Sequence, residues 1–189
     1  MQELNQLVQS YFGIRPDYIG EVSSLFELEN LSKGNFYTKE NRHCKKLSFI
    51  QSGYWRIYNT KENKEVTQYI ASPHEFITDL SSLVFHTPSR FNIEALTDSH
   101  IFTIHENNYR QIDQIVPEWK DLEKLFIAKC FVTLENRIND FIALPAEERY
   151  RNLFDSKPEL FNHAPLQYIA SMLGMTPETL SRLRKKPIS

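Results

Sequence analysis

The sequence predicts an α+β chain in three parts: a β-rich N-terminal domain with flanking helices, a long connecting helix and a small helical C-terminal domain. Three observations predict it. Between about residues 33 and 106 short apolar and aromatic runs are separated by polar turns, whereas beyond Asn107 apolar residues recur in steps of three and four. Residues 166–186 then read as two short helices joined by a glycine turn. A chain of 189 residues is long enough to bury a proper core.

The first 30 residues carry Leu4, Leu7, Val8, Tyr11 and Phe12, then Val22, Leu25, Phe26 and Leu28, at helical spacing, which predicts two short helices. Leu47 and Phe49 alternate with polar residues, Tyr54 to Tyr58 is aromatic and β-branched, and residues 59–64 form a polar turn. Further strands are expected at residues 66–70, 91–96 and 100–104. Short strands separated by turns indicate an antiparallel barrel, sandwich or roll.

A short helix is expected at 109–116, and residues 117–143 then run without glycine or a further proline. Ile127, Phe131, Leu134, Ile138 and Phe141 recur there in steps of four and three, while Trp119, Leu122 and Phe126 occupy a second part of the surface. One stripe suffices to pack a helix on its own domain; two predict a second partner, most economically the same helix of another copy. Trp119, Leu122, Phe126, Ile127, Phe131, Leu134 and Ile138 are the candidate dimer residues. Glu147 and Glu148 open the next helix, where they favour its dipole, and Tyr150, Leu153 and Phe154 form its apolar side.

In the last stretch Ile169, Ala170 and Leu173 face inward, and Gly174 sits where a helix ends in a left-handed turn. Thr176 and Pro177 supply an N-cap and a first helical residue. Leu180 and Leu183 face inward with Met175, leaving Glu178, Ser181, Arg182 and Lys185 outward. Ala170 is small where the helices would cross. This is the pattern of a helix-turn-helix whose second helix enters a DNA major groove.

Net charge is −2, so the chain is not basic as a whole, but from Leu180 onward it carries Arg182, Arg184, Lys185 and Lys186 and no acid. Local field decides contact with phosphates. Cys44 and Cys130 are the two cysteines, too few and too far apart for a disulfide framework, a zinc site or an iron–sulfur cluster. His43, His74, His86, His100 and His105 lack ligand spacing, and no metal or other cofactor is predicted. No signal peptide or membrane span is expected, which predicts a cytoplasmic protein. An enzyme on a cupin-like barrel would need clustered His and carboxylate ligands, and no His-x-His occurs. No catalytic residue is assigned.

In order, these pieces resemble the Crp/Fnr family of bacterial transcription regulators. Residues 169–176, Ile-Ala-Ser-Met-Leu-Gly-Met-Thr, look like the family's turn, and Glu178, Ser181 and Arg182 resemble the trio that reads bases in the Fnr branch. The resemblance implies an N-terminal β-roll of cyclic-nucleotide-binding type with flanking helices at 1–116, a dimerisation helix at 117–143 and a DNA-binding domain at 144–189. It implies a homodimer on a near-palindromic operator, its recognition helices roughly 34 Å apart. RNA polymerase is a further candidate partner. The chain ends three residues past Lys186, at Pro187-Ile188-Ser189, which reads as a minimal DNA-binding domain.

Arg182 suits bidentate pairing with guanine and Glu178 can accept from cytosine; Ser181 can contact a base or a phosphate. Thr176, Thr179, Arg184 and Lys185 are placed for the DNA backbone. Cyclic-AMP binders of this kind carry a Gly-Glu pair followed by an Arg-Ser pair. Here Thr78 stands at the glycine and Asp79 at the glutamate, and Ser89-Arg90 reverses the second pair. Thr78, Asp79, Ser89 and Arg90 are the candidate effector contacts, with Arg90 the one anion contact, and cyclic AMP is not the expected effector. The alternative function is a signalling or interaction module whose helical tail does not bind DNA.

Overall fold

A computed structural model describes residues 1–185. Lys186 of the basic run and residues 187–189 lie outside the described residues.

Two four-stranded antiparallel sheets form the N-terminal half. The first has the order β1 (Glu27–Leu31), β8 (Ser99–His105), β3 (Lys46–Ser52), β6 (Phe76–Ile77); the second has β2 (Phe36–Thr38), β7 (Asn92–Ala95), β4 (Trp55–Lys61), β5 (Lys64–Ala71). The β4–β5 hairpin closes through Glu62 and Asn63, both at positive φ, as a two-residue turn of the kind that matches strand twist. Between the sheets lie Tyr37, Ile50, Trp55, Ile77, Ile93 and Ile101. This arrangement settles the open choice among barrel, sandwich and roll as a β-roll.

A second core lies outside the roll. There α1 (Gln2–Phe12) and α2 (Pro16–Ser23) pack with the one-turn helices α4 (Glu106–Tyr109) and α5 (Ile112–Ile115) and the start of α6 (Trp119–Ala143). Phe12 meets Trp119 at 5.2 Å and Phe126 at 5.0 Å, both edge to face. The sequence spacing predicts helix through Leu28, but α2 stops at Ser23 and Leu28 lies in β1. The spacing there reflects two buried stretches either side of a turn, and Leu28 itself is exposed. The helix expected at 109–116 is instead two separate turns, and α3 (Leu80–Phe85), too short to show a period, was not predicted.

The C-terminal half is helical: α7 (Ala146–Ser156), α8 (Leu160–His163), α9 (Leu166–Met172) and α10 (Pro177–Lys185). Its core of Tyr150, Leu160, Ile169, Ala170, Leu180 and Leu183 is continuous with Tyr54, Ile70 and Leu96 of the roll.

Candidate functional site

The turn between α9 and α10 is built by local hydrogen bonds. The Met175 N–H reaches the Ala170 carbonyl at 3.0 Å and the Gly174 N–H reaches Ser171 at 3.0 Å, which is a Schellman closure around Gly174 at φ +63°. A Cβ on Gly174 would come within 2.9 Å of the Phe141 ring at the end of α6. Glycine is therefore favoured there by its backbone conformation, and a side chain would also have to displace the Phe141 ring. Thr176 caps α10, its hydroxyl accepting from the Thr179 N–H at 3.2 Å. Ile169, Ala170, Leu180 and Leu183 are buried between the helices, and Met175 packs at their edge.

That packing fixes what α10 presents. Glu178, Arg182, Arg184 and Lys185 are exposed, with Thr176 beside them, and Thr179 and Ser181 are half-buried along the same surface. The Glu178 carboxyl is held below its ordinary range by its own backbone N–H and then by the Thr176 hydroxyl, so it is an acceptor at neutral pH. The seven candidate DNA contacts thus lie together on one short helix and its cap.

The candidate effector residues form a different arrangement. Asp79 is buried and caps α3; its carboxylate accepts from the Ser81 N–H (3.0 Å), the Ser81 hydroxyl (2.6 Å) and the Ser82 N–H (3.2 Å). Across the loop it also accepts from the Ser89 hydroxyl (2.9 Å) and the Arg90 N–H (3.2 Å). Burial alone would raise its pKa, but these bonds outweigh it and hold the carboxyl below the usual value. The loop's Ser81, Ser82 and Arg90 N–H groups and the Ser81 and Ser89 hydroxyls are thus given to Asp79, whereas the Arg90 guanidinium is not. Asp79 and Ser89, named above as candidate effector contacts, are thus bonded to one another and to the first turn of α3. The Arg90 side chain is exposed beside Phe91, and the Thr78 hydroxyl donates to the Lys46 carbonyl.

The candidate dimer residues also divide. Trp119 is 3% exposed and Phe126 is 2% exposed, both inside their own chain's core, and Leu122 packs beside them near Gly13. Trp119 and Phe126 thus belong to the intrachain core, with Leu122 half-buried at its edge. Ile127, Phe131, Leu134 and Ile138 are exposed, Phe131 at 60%, together with Leu125 and Ile142. Both stripes have the same three–four spacing, and only the fold decides which one meets the roll.

Sequence reasoning missed the junction between the two halves. β5 is an edge strand, and α9 covers its free N–H groups: Thr67 donates to the Ser171 hydroxyl at 3.0 Å and Ile70 to the Met172 sulfur at 3.2 Å. Arg56, 2% exposed, lies between the rings of Tyr58 (3.9 Å) and Tyr168 (3.6 Å) and bonds Thr67 and Glu65. Lys157 reaches Glu75 at 2.7 Å and the Tyr69 hydroxyl at 2.8 Å. An arginine in the middle of an aromatic strand was the one signal available.

Tyr69 and Arg137 form a wall between two cavities. One, about 420 Å³, lies between α1, β5, β6 and α6; the other, about 220 Å³, lies between α6, α7 and α9. Among the described residues no group of three His, Cys, Asp or Glu side chains is placed to hold a metal ion, and no helix is long and apolar enough to cross a membrane.

Residues 28–114 match the family model for the cyclic nucleotide-binding domain. No curated protein sequence matches the chain. Among solved structures, FixK2 from Bradyrhizobium japonicum superposes with a TM-score of 0.70 at 15% identity, covering 84% of this chain and 82% of that one. A Crp/Fnr-family transcriptional regulator from Eubacterium rectale gives 0.66 at 18% identity, covering 90% and 82%. The catabolite activator protein of Thermus thermophilus gives 0.58 at 19% identity, covering 94% and 84%. The chain therefore has the β-roll fold of cyclic nucleotide-binding domains, joined through a long helix to a C-terminal helical region as in the fold of these regulators.

Proposed function

We propose that the chain is a dimeric, sequence-specific DNA-binding transcription regulator of Crp/Fnr type. Residues 1–116 act as sensor, 117–143 as dimerisation helix and 144–189 as DNA-binding domain. The observation that carries this reading is the outward face of α10, where Glu178, Ser181 and Arg182 sit beside Arg184 and Lys185 on a capped helix. Arg182 pairs with guanine O6 and N7, and Glu178 accepts from a cytosine amino group. Ser181 contacts a base or phosphate, and Thr176, Thr179, Arg184 and Lys185 hold the backbone. Ile127, Phe131, Leu134 and Ile138 pair α6 with its copy. RNA polymerase is the further partner of such a regulator, whose place of work is the cytoplasm.

Arg182→Ala is expected to cost about 1–3 kcal/mol at the cognate site and relax discrimination at one base per half-site. Lys185→Ala should weaken all sequences alike and flatten the salt dependence. Fluorescence anisotropy on cognate and single-base-changed duplexes separates the two. Equal loss on every duplex for Arg182→Ala overturns its assignment, and no salt-dependent binding by the parent chain favours the interaction-module reading.

The sensor does not take cyclic AMP through the Asp79 loop, since five of that loop's donors are committed to the Asp79 carboxylate. Calorimetric titration with cyclic AMP should give no saturable heat. A saturable isotherm that Arg90→Ala abolishes would overturn this.

A further inference from the structure

We infer that the 420 Å³ cavity between α1, β5, β6 and α6 is a binding site for a small organic anion with an apolar body, held by Arg137 and Lys129. It rests on the sensor half of the reading above and not on DNA binding. Its volume is within the range of small-molecule sites. Tyr11, Ile57, Phe76, Phe126 and Leu134 supply an apolar lining that suits rings or short chains.

The polar groups settle the sign of charge. Arg137 is half-buried, and burial pushes its pKa down, so the guanidinium lacks full solvation. It donates to the Gln68 carbonyl at 2.7 Å and lies over the Tyr69 ring at 4.7 Å; among the described residues that is its one hydrogen bond. A guanidinium has five N–H donors. Glu75, the acid acting on it, is taken up by Lys157 (2.7 Å), the Tyr69 hydroxyl (2.7 Å) and the Ser72 N–H (2.8 Å). Lys129, one α6 turn-pair before Arg137, adds a second cation at the cavity mouth. An apolar chamber with one committed carboxylate and two available cations selects a carboxylate or sulfonate over a neutral ligand or a cation. Of the four candidate effector contacts above, Thr78 lines this cavity, whereas Asp79, Ser89 and Arg90 do not.

Cys130 lines the same cavity and reports its occupancy. The full chain is alkylated with iodoacetamide at alkaline pH, because burial raises the Cys130 thiol pKa, and the Cys130 peptide is followed by mass spectrometry. Naphthoate is compared with the neutral naphthylmethanol. Naphthoate is expected to slow Cys130 alkylation, and naphthylmethanol at equal concentration is not. Arg137→Gln should weaken the naphthoate effect about tenfold or more. Lys129→Gln, at an exposed position, should weaken it in the same direction and keeps the test valid if Arg137→Gln does not fold. Equal protection by both compounds, no protection by naphthoate, or protection unchanged in both variants overturns the proposal. Because no DNA is present, failure here is distinct from failure of DNA binding.

Discussion

Asp79 shows how one side chain organises a loop. Five donors converge on its carboxylate, two from the first turn of α3 and two from the loop at Ser89 and Arg90, with the Ser81 hydroxyl as the fifth. Its pKa is lower folded than unfolded, so the stability it contributes is present above the unfolded value of about 3.9 and is lost as pH falls through the folded one. Asp79→Asn should therefore cost about 1–3 kcal/mol at neutral pH. In urea titrations its deficit against the parent should shrink below about pH 4. A deficit that stays constant with pH would show that the carboxylate's charge is not what stabilises the loop. The N-cap role was legible in principle, since an aspartate followed by Leu-Ser-Ser is a helix start. The loop that delivers Ser89 and Arg90 to it was not, because α3 and the irregular residues 86–88 separate them from Asp79.

At the scale of elements, α6 carries two apolar stripes with opposite fates. Phe126→Ala should cost about 3–5 kcal/mol of stability, because its ring is held among Phe12, Phe76 and the rest of the outer core. Phe131→Glu together with Ile138→Glu should leave the far-ultraviolet spectrum unchanged and convert a dimer into a monomer by light scattering, both residues being exposed at present. A dimer that survives the double substitution would move the interface elsewhere. The helix itself was plain in the sequence: twenty-five residues, Trp119–Ala143, with regular spacing and no breaker. The assignment of its faces was not, since periodicity gives the angle between stripes and not what lies against each. Gly174→Ala belongs to this scale too. Its positive φ alone should cost about 1–2 kcal/mol, and contact with Phe141 adds to that, measured as a lower thermal midpoint.

Over the whole molecule, the three parts announced by the sequence are knit into one continuous structure. The roll's edge strand β5 is closed by α9 instead of by another strand, Lys157 ties the halves through its ion pair with Glu75, and Arg56 does so through the Tyr168 ring. Nothing in the periodicity of β5 distinguishes a strand edge facing solvent from one facing a helix. Chain order and local motifs were therefore legible, whereas the contacts between parts depended on which surfaces the fold brings together. The polar face of α10 and the apolar stripe of α6 are both exposed, and they are the surfaces proposed above for DNA and for a second copy. On the function proposed above, these two surfaces act together on DNA. Selection of binding sites by the purified full chain from random duplexes tests it most directly. It predicts enrichment of an inverted repeat whose half-sites are centred about one helical turn, roughly 10 base pairs, apart. Recovery of a single asymmetric half-site, or no enrichment over input, would contradict it.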